Sequence, residues 1–140
     1  MSAKSFVDTN VLVYLFDGRV PAKQRRAAEL LRQLADADDA PVISTQVLQE
    51  AFVALTRKLA MPAREAIGAL QLLEAGSFAI QRVDPPLIWR AATRSADERL
   101  SFWDALIIEA AQEAGCTQLY SEDLQANRSF GEVTIRNPFV

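Results

Sequence analysis

Ser5-Phe6-Val7-Asp8-Thr9-Asn10-Val11-Leu12 is the stretch on which the fold turns. Phe6 and Val7 read as the end of a short buried strand. Asp8-Thr9-Asn10 stops that strand, and Val11 to Phe16 resumes apolar, as a short helix would. In an α/β sheet such a junction lies at the carboxyl end of a strand, where ligands and reactive groups collect. An Asp placed there has its side chain at the mouth of the sheet. Three further acids, Glu50, Asp104 and Asp123, occupy comparable positions later in the chain.

Working outward, the same alternation repeats. Pro21 suits the first turn of an amphipathic helix over 22–37, with Ala27, Leu30, Leu31 and Leu34 opposite Lys23, Arg26 and Arg32. Pro41 to Ser44 reads as a second strand, and Ser44 or Thr45 caps a helix running to about Ala60. Helical patterns over 62–75, 87–99 and 102–114 follow, with strands at 78–83, 117–120 and 133–135. Strands alternating with helices predict an α/β fold in one domain over residues 1–140, its sheet mostly parallel.

Composition narrows the chemistry. The 140 residues contain no histidine, which removes Ser-His-Asp and Cys-His catalysis and His-ligated zinc. The single Cys116 excludes an internal disulfide and a thiolate-rich metal site, and its place before an apolar strand predicts a buried structural residue. No run is long enough to span a bilayer and no secretory signal is evident, so a cytoplasmic location is expected. The net charge of −3 argues against nucleic acid at first sight. Setting aside the four acids as metal-occupied leaves acidic and basic residues nearly balanced, and charge then decides nothing.

Asp8 and Asp123 each follow a strand, Glu50 lies one to two turns into the helix after the second strand, and Asp104 lies in a first helical turn. In a parallel sheet all four belong near one edge. Carboxylates gathered without a cation repel and raise one another's pKa values. A hard divalent ion resolves that conflict, and oxygen-only ligands favour magnesium or manganese over zinc. Each acid also has a structural alternative. Asp8 can cap a helix, Ser101-x-x-Asp104 has the form of a capping box, Glu50 can pair with Arg57 or Lys58, and Ser121-Glu122-Asp123 can be a turn.

Four segments carry a resemblance: Phe6-Val7-Asp8-Thr9-Asn10-Val11-Leu12, Ser44-Thr45-Gln46-Val47-Leu48-Gln49-Glu50, Leu100-Ser101-Phe102-Trp103-Asp104-Ala105-Leu106-Ile107 and Leu119-Tyr120-Ser121-Glu122-Asp123-Leu124-Gln125. Together with the closing Asn137-Pro138-Phe139, they resemble the PIN-domain ribonucleases, particularly the VapC-type toxins of bacterial toxin–antitoxin pairs. The resemblance implies a three-layer sandwich around a parallel, five-stranded sheet. It also implies Asp8, Glu50, Asp104 and Asp123 as catalytic and metal-holding acids, with Thr9, Asn10 and Ser121 in support and Glu122 as a second candidate at the last site. The implied activity is Mg²⁺- or Mn²⁺-dependent endoribonuclease cleavage. An RNA substrate, a cognate antitoxin and a homodimer are the implied partners. Ala126-Asn127-Arg128 departs from the basic or His-containing stretch of many relatives.

Two other classes compete. An inactive PIN-like module kept for protein binding is disfavoured because all four acids are present. A phosphoacceptor receiver domain would pair two adjacent acids after the first strand and carry a late Lys; here there is no such pair, and no Lys follows Lys58.

Overall fold

Among the described residues six short strands form one sheet in the order β3-β2-β1-β4-β6-β5. They are β1 (Ser5–Val7), β2 (Val42–Ser44), β3 (Ala79–Gln81), β4 (Gln118–Tyr120), β5 (Ser129–Phe130) and β6 (Val133–Arg136). The structure, a computed structural model, describes residues 3–76 and 78–140. The first four strands and β6 are parallel, and β5 runs antiparallel to β6. The parallel part matches the five strands expected. The sixth, β5, is an addition that pairs Phe130 with Val133 across Gly131 and Glu132. Gly131 takes φ 59° at the first position of that two-residue loop, where a positive φ suits the twist of the flanking strands.

Helices flank the sheet: α1 (Thr9–Tyr14), α2 (Pro21–Ala35), α3 (Thr45–Arg57), α4 (Ala63–Ala75), α5 (Pro85–Glu98) and α6 (Phe102–Glu113). Their ends follow local chemistry. Pro21 opens α2, Ser44 Oγ caps α3 by accepting from Val47 N at 3.3 Å, and Asp84 caps α5 by accepting from Leu87 N at 3.0 Å. α3 stops short of the expected Ala60, because that residue takes a left-handed φ of 54°.

Phe6, Val7, Val11, Leu12, Ile43, Leu87, Ile108, Leu119 and Ile135 are fully buried at the centre of the main core. α6 is buried from Ala105 to Ala111 without a break, as expected of a helix apolar on nearly every side. A smaller core of Ala51, Leu55, Ala66 and Leu70 joins α3 to α4. Cys116 is buried as expected, and burial pushes its thiol up to about 11. Among the described residues no helix is long and apolar enough to cross a membrane.

Candidate active site

β1 is flanked by β2 on one side and β4 on the other, and all three run the same way. Chain connectivity reverses direction across the sheet at β1, which makes its carboxyl edge the expected ligand crevice. Asp8 follows β1 there, Ser121 to Asp123 follow β4, and α3 with Glu50 follows β2. Asp8, Glu50 and Asp123 line one cavity of about 360 Å³ together with Asp104, from the first turn of α6.

Asp8 is the deepest of them, 7% exposed. One carboxylate oxygen accepts from Thr9 N at 2.7 Å, so Asp8 does cap α1. The other accepts from Ser121 Oγ at 2.8 Å. Burial lifts its pKa from 3.8 to about 6. The Ser121 and Thr9 hydrogen bonds oppose that rise, and the nearby Glu50 and Asp123 charges add to it.

The neighbouring acids are held by the supporting side chains. Thr9 Oγ1 donates to Glu50 Oε1 at 2.8 Å, rather than Glu50 pairing with Arg57 or Lys58. Asn10 Nδ2 donates to Asp123 Oδ2 at 3.2 Å and to Ser121 Oγ at 3.3 Å, while Asn10 Oδ1 accepts from Glu122 N at 3.0 Å. Ser121 Oγ also accepts from Asp123 N at 3.1 Å. A single hydroxyl thus ties the β4 loop to Asp8.

Asp104 separates its two readings. Ser101 Oγ accepts from Asp104 N at 3.1 Å and caps α6. The reciprocal bond of a capping box is missing. Among the described residues the Asp104 carboxylate has no hydrogen-bond or ion-pair partner, and it borders the cavity.

Glu122 is engaged elsewhere. It accepts from Lys23 Nζ at 2.8 Å and from Tyr14 OH at 3.0 Å. Lys23, Tyr14 and Gln46 were not legible as site residues, because each meets its acid through packing between elements. Gln46 Nε2 donates to the Trp103 carbonyl at 3.1 Å and lies 3.5 Å from Glu50 Oε2. Its buried Oε1 has no hydrogen-bond partner among the described residues.

The family model described as PIN domain matches residues 5–129. The chain belongs to the PIN domain family. No protein of curated function matches it. This PIN domain is similar in fold to three solved toxin structures. A toxin–antitoxin complex from Klebsiella pneumoniae is 21% identical over 96% of this chain and 98% of that one, with a TM-score of 0.69. VapBC2 from Rickettsia felis gives 17% identity over 95% and 97%, with a TM-score of 0.68. Mycobacterium tuberculosis VapC20, described as a sarcin-ricin loop cleaving toxin, gives 22% identity over 86% and 92%, with a TM-score of 0.63.

The donor set of the PIN domain suits a hard divalent cation. All four acids are carboxylates, and the depth of Asp8 leaves its charge poorly solvated. Among the described residues, however, no group of three such side chains is arranged to hold a metal as it stands. The acids share a cavity without forming a closed cage.

Proposed function

We propose that this PIN domain is a metal-dependent endoribonuclease that hydrolyses RNA phosphodiester bonds, and the toxin of a type II toxin–antitoxin pair. The observation that carries the reading is the convergence of Asp8, Glu50, Asp104 and Asp123 on one cavity in a chain without histidine. A bound Mg²⁺ or Mn²⁺ supplies positive charge to the phosphate and acidifies a water.

The chain's own residues would then divide the work. Asp8 and Asp104 hold the cation, Asp8 from the buried floor and Asp104 with a carboxylate free of other partners. Glu50, set by Thr9, holds or positions it from α3. Asp123, set by Asn10, completes the shell directly or through water, and Glu122 is the less favoured candidate because Lys23 and Tyr14 already occupy it. Cleavage in this mode does not use the 2′-hydroxyl, so 5′-phosphate and 3′-hydroxyl ends are expected. Purified protein should cleave RNA with Mg²⁺ or Mn²⁺ and stop in EDTA; undiminished cleavage in EDTA would sink the mechanism.

The likeness to structures described as VapBC and toxin–antitoxin complexes supports an antitoxin as partner. An Arg or Lys from that partner would meet the acidic cavity by charge-assisted hydrogen bonds. Co-expression with the neighbouring gene product and size exclusion tests it. A protein that never co-elutes with that product, and is harmless when expressed alone, would count against the pairing. In this reading the protein works as a homodimer in the cytoplasm, which sedimentation and cell fractionation would check.

A further inference from the structure

The acidic cavity continues on its α3 side into an apolar groove, with Gln46, Glu50, Ala54, Lys58 and Trp103 bordering both. Val53 and Trp103 line that groove at 49% and 60% exposure. The indole stands on a fixed stretch of backbone. Its backbone is in the first turn of α6, its carbonyl accepts from Gln46, and the Phe102 ring packs edgewise at 5.1 Å between centroids. Trp103 directly precedes Asp104, so a flat apolar surface stands beside the cavity's free carboxylate.

Cations rim the groove. Arg57 and Lys58 are both exposed, and Arg57 has no hydrogen bond or ion pair among the described residues. The α5 arginines are committed elsewhere: Arg90 to Glu113 and Glu109, Arg94 to Glu98 and Glu109.

We propose that this groove is a base-stacking subsite, in which an unpaired nucleobase beside the scissile phosphate stacks on Trp103 and a flanking phosphate meets Arg57 and Lys58. The proposal rests on the ribonuclease reading of the cavity and deepens it by naming the substrate as single-stranded at that point. The match is one of charge and shape. An apolar surface with an indole beside a pair of cations complements a base joined to a phosphate. Bases in a duplex have both faces already stacked, whereas unpaired bases are free to lie on an aromatic side chain. Stacking tolerates any base, so the subsite selects strandedness more than sequence.

The test uses full-length wild type, Trp103→Leu, Trp103→Phe and Arg57→Gln, each checked by thermal unfolding. Binding of a labelled single-stranded oligoadenylate and of a labelled RNA duplex is read by fluorescence polarisation in EDTA and in Mg²⁺. Trp103→Leu should weaken oligoadenylate binding about ten-fold and Trp103→Phe less, the loss expected for one missing stack. Duplex binding should not change. Arg57→Gln should weaken binding and flatten its salt dependence.

Wild-type affinity in Trp103→Leu would overturn the proposal, as would equal losses on single strand and duplex. Intact RNA binding with lost capture of a co-expressed partner protein would also overturn it, by assigning the groove to that protein. The two readings fail separately. Trp103-dependent binding with no RNA cleavage in Mg²⁺ supports the subsite and sinks the nuclease; cleavage with unchanged binding by Trp103→Leu does the reverse.

Discussion

Ser101 takes the capping role and leaves Asp104 the other of the two roles that the sequence allowed it. Ser101 Oγ satisfies the open N–H at the start of α6, which leaves the Asp104 carboxylate to the cavity. Ser101→Ala should therefore cost about 1 kcal/mol of stability with the acids intact. Asp104→Asn should leave metal-free stability level or slightly higher, because a neutral amide relieves repulsion, while cleavage collapses. Melting in EDTA and RNA cleavage in Mg²⁺ would separate the pair. A clearly lower melting point for Asp104→Asn with wild-type cleavage would make Asp104 a cap. Asp8 gives a sharper test through pH. Its pKa is raised from 3.8 to about 6, chiefly by burial, so the fold favours the protonated form. The associated stability is fully present below the unfolded value and is lost as pH rises through about 6. Asp8→Asn should match wild type near pH 4 but exceed it near pH 8. The gain should be no more than about 3 kcal/mol, because each tenfold change in proton affinity is worth about 1.4 kcal/mol. Urea unfolding at the two pH values checks this, and a pH-independent difference would contradict it.

Elements were legible where their pattern is carried by their own residues. The apolar run Ala105–Ala111 announces a buried α6, and Pro21 announces the start of α2. β5 was not legible, because two residues cannot show an alternation and its pairing depends on the Gly131 turn. The roles of Arg90 and Arg94 were hidden for a different reason. Read within α5 they form a solvated face and look available to RNA. The packing of α5 on α6 brings them to Glu109, which is buried within the apolar run, at 3.9 and 3.0 Å. Arg94 is itself only 16% exposed on its side chain, so the pair is not a surface ornament. Arg94→Ala would leave Glu109 poorly compensated in a buried place and should cost about 3 kcal/mol. Arg57→Ala, on the rim of the groove, should be nearly neutral for stability. Denaturant unfolding of the two variants decides whether α5 contributes its cations to the fold or to the substrate; equal stability in both would put Arg94 on the substrate side.

At the scale of the molecule, the four acids were readable because the sheet itself gathers them. Asp8 and Asp123 follow β1 and β4 within a few residues, and parallel pairing fixes which edge they share. Their closeness to one another was less readable, since it depends on Thr9, Asn10 and Ser121 choosing partners about 40 or 110 positions away. The result is a chain of net charge −3 with six carboxylates around one cavity, of which Asp17 and Glu122 are paired with Arg19 and Lys23, and with Lys58 at its border. A ligand that binds only the folded state adds RT ln(1 + [L]/Kd) to stability, so a saturating divalent ion should raise the melting temperature by about 5–10 °C. Carboxylates must be deprotonated to bind it, and Asp8 releases its proton only near pH 6. Mg²⁺ should therefore raise the melting temperature at about pH 7.5 and do little at about pH 5. Sodium chloride at matched ionic strength should not reproduce the rise, and Asp8→Asn should abolish it. Thermal scans over those conditions need no RNA and no knowledge of the cleavage site. A rise equal at both pH values, or one that sodium chloride mimics, would mean that the ion screens surface charge and that the four acids hold no metal.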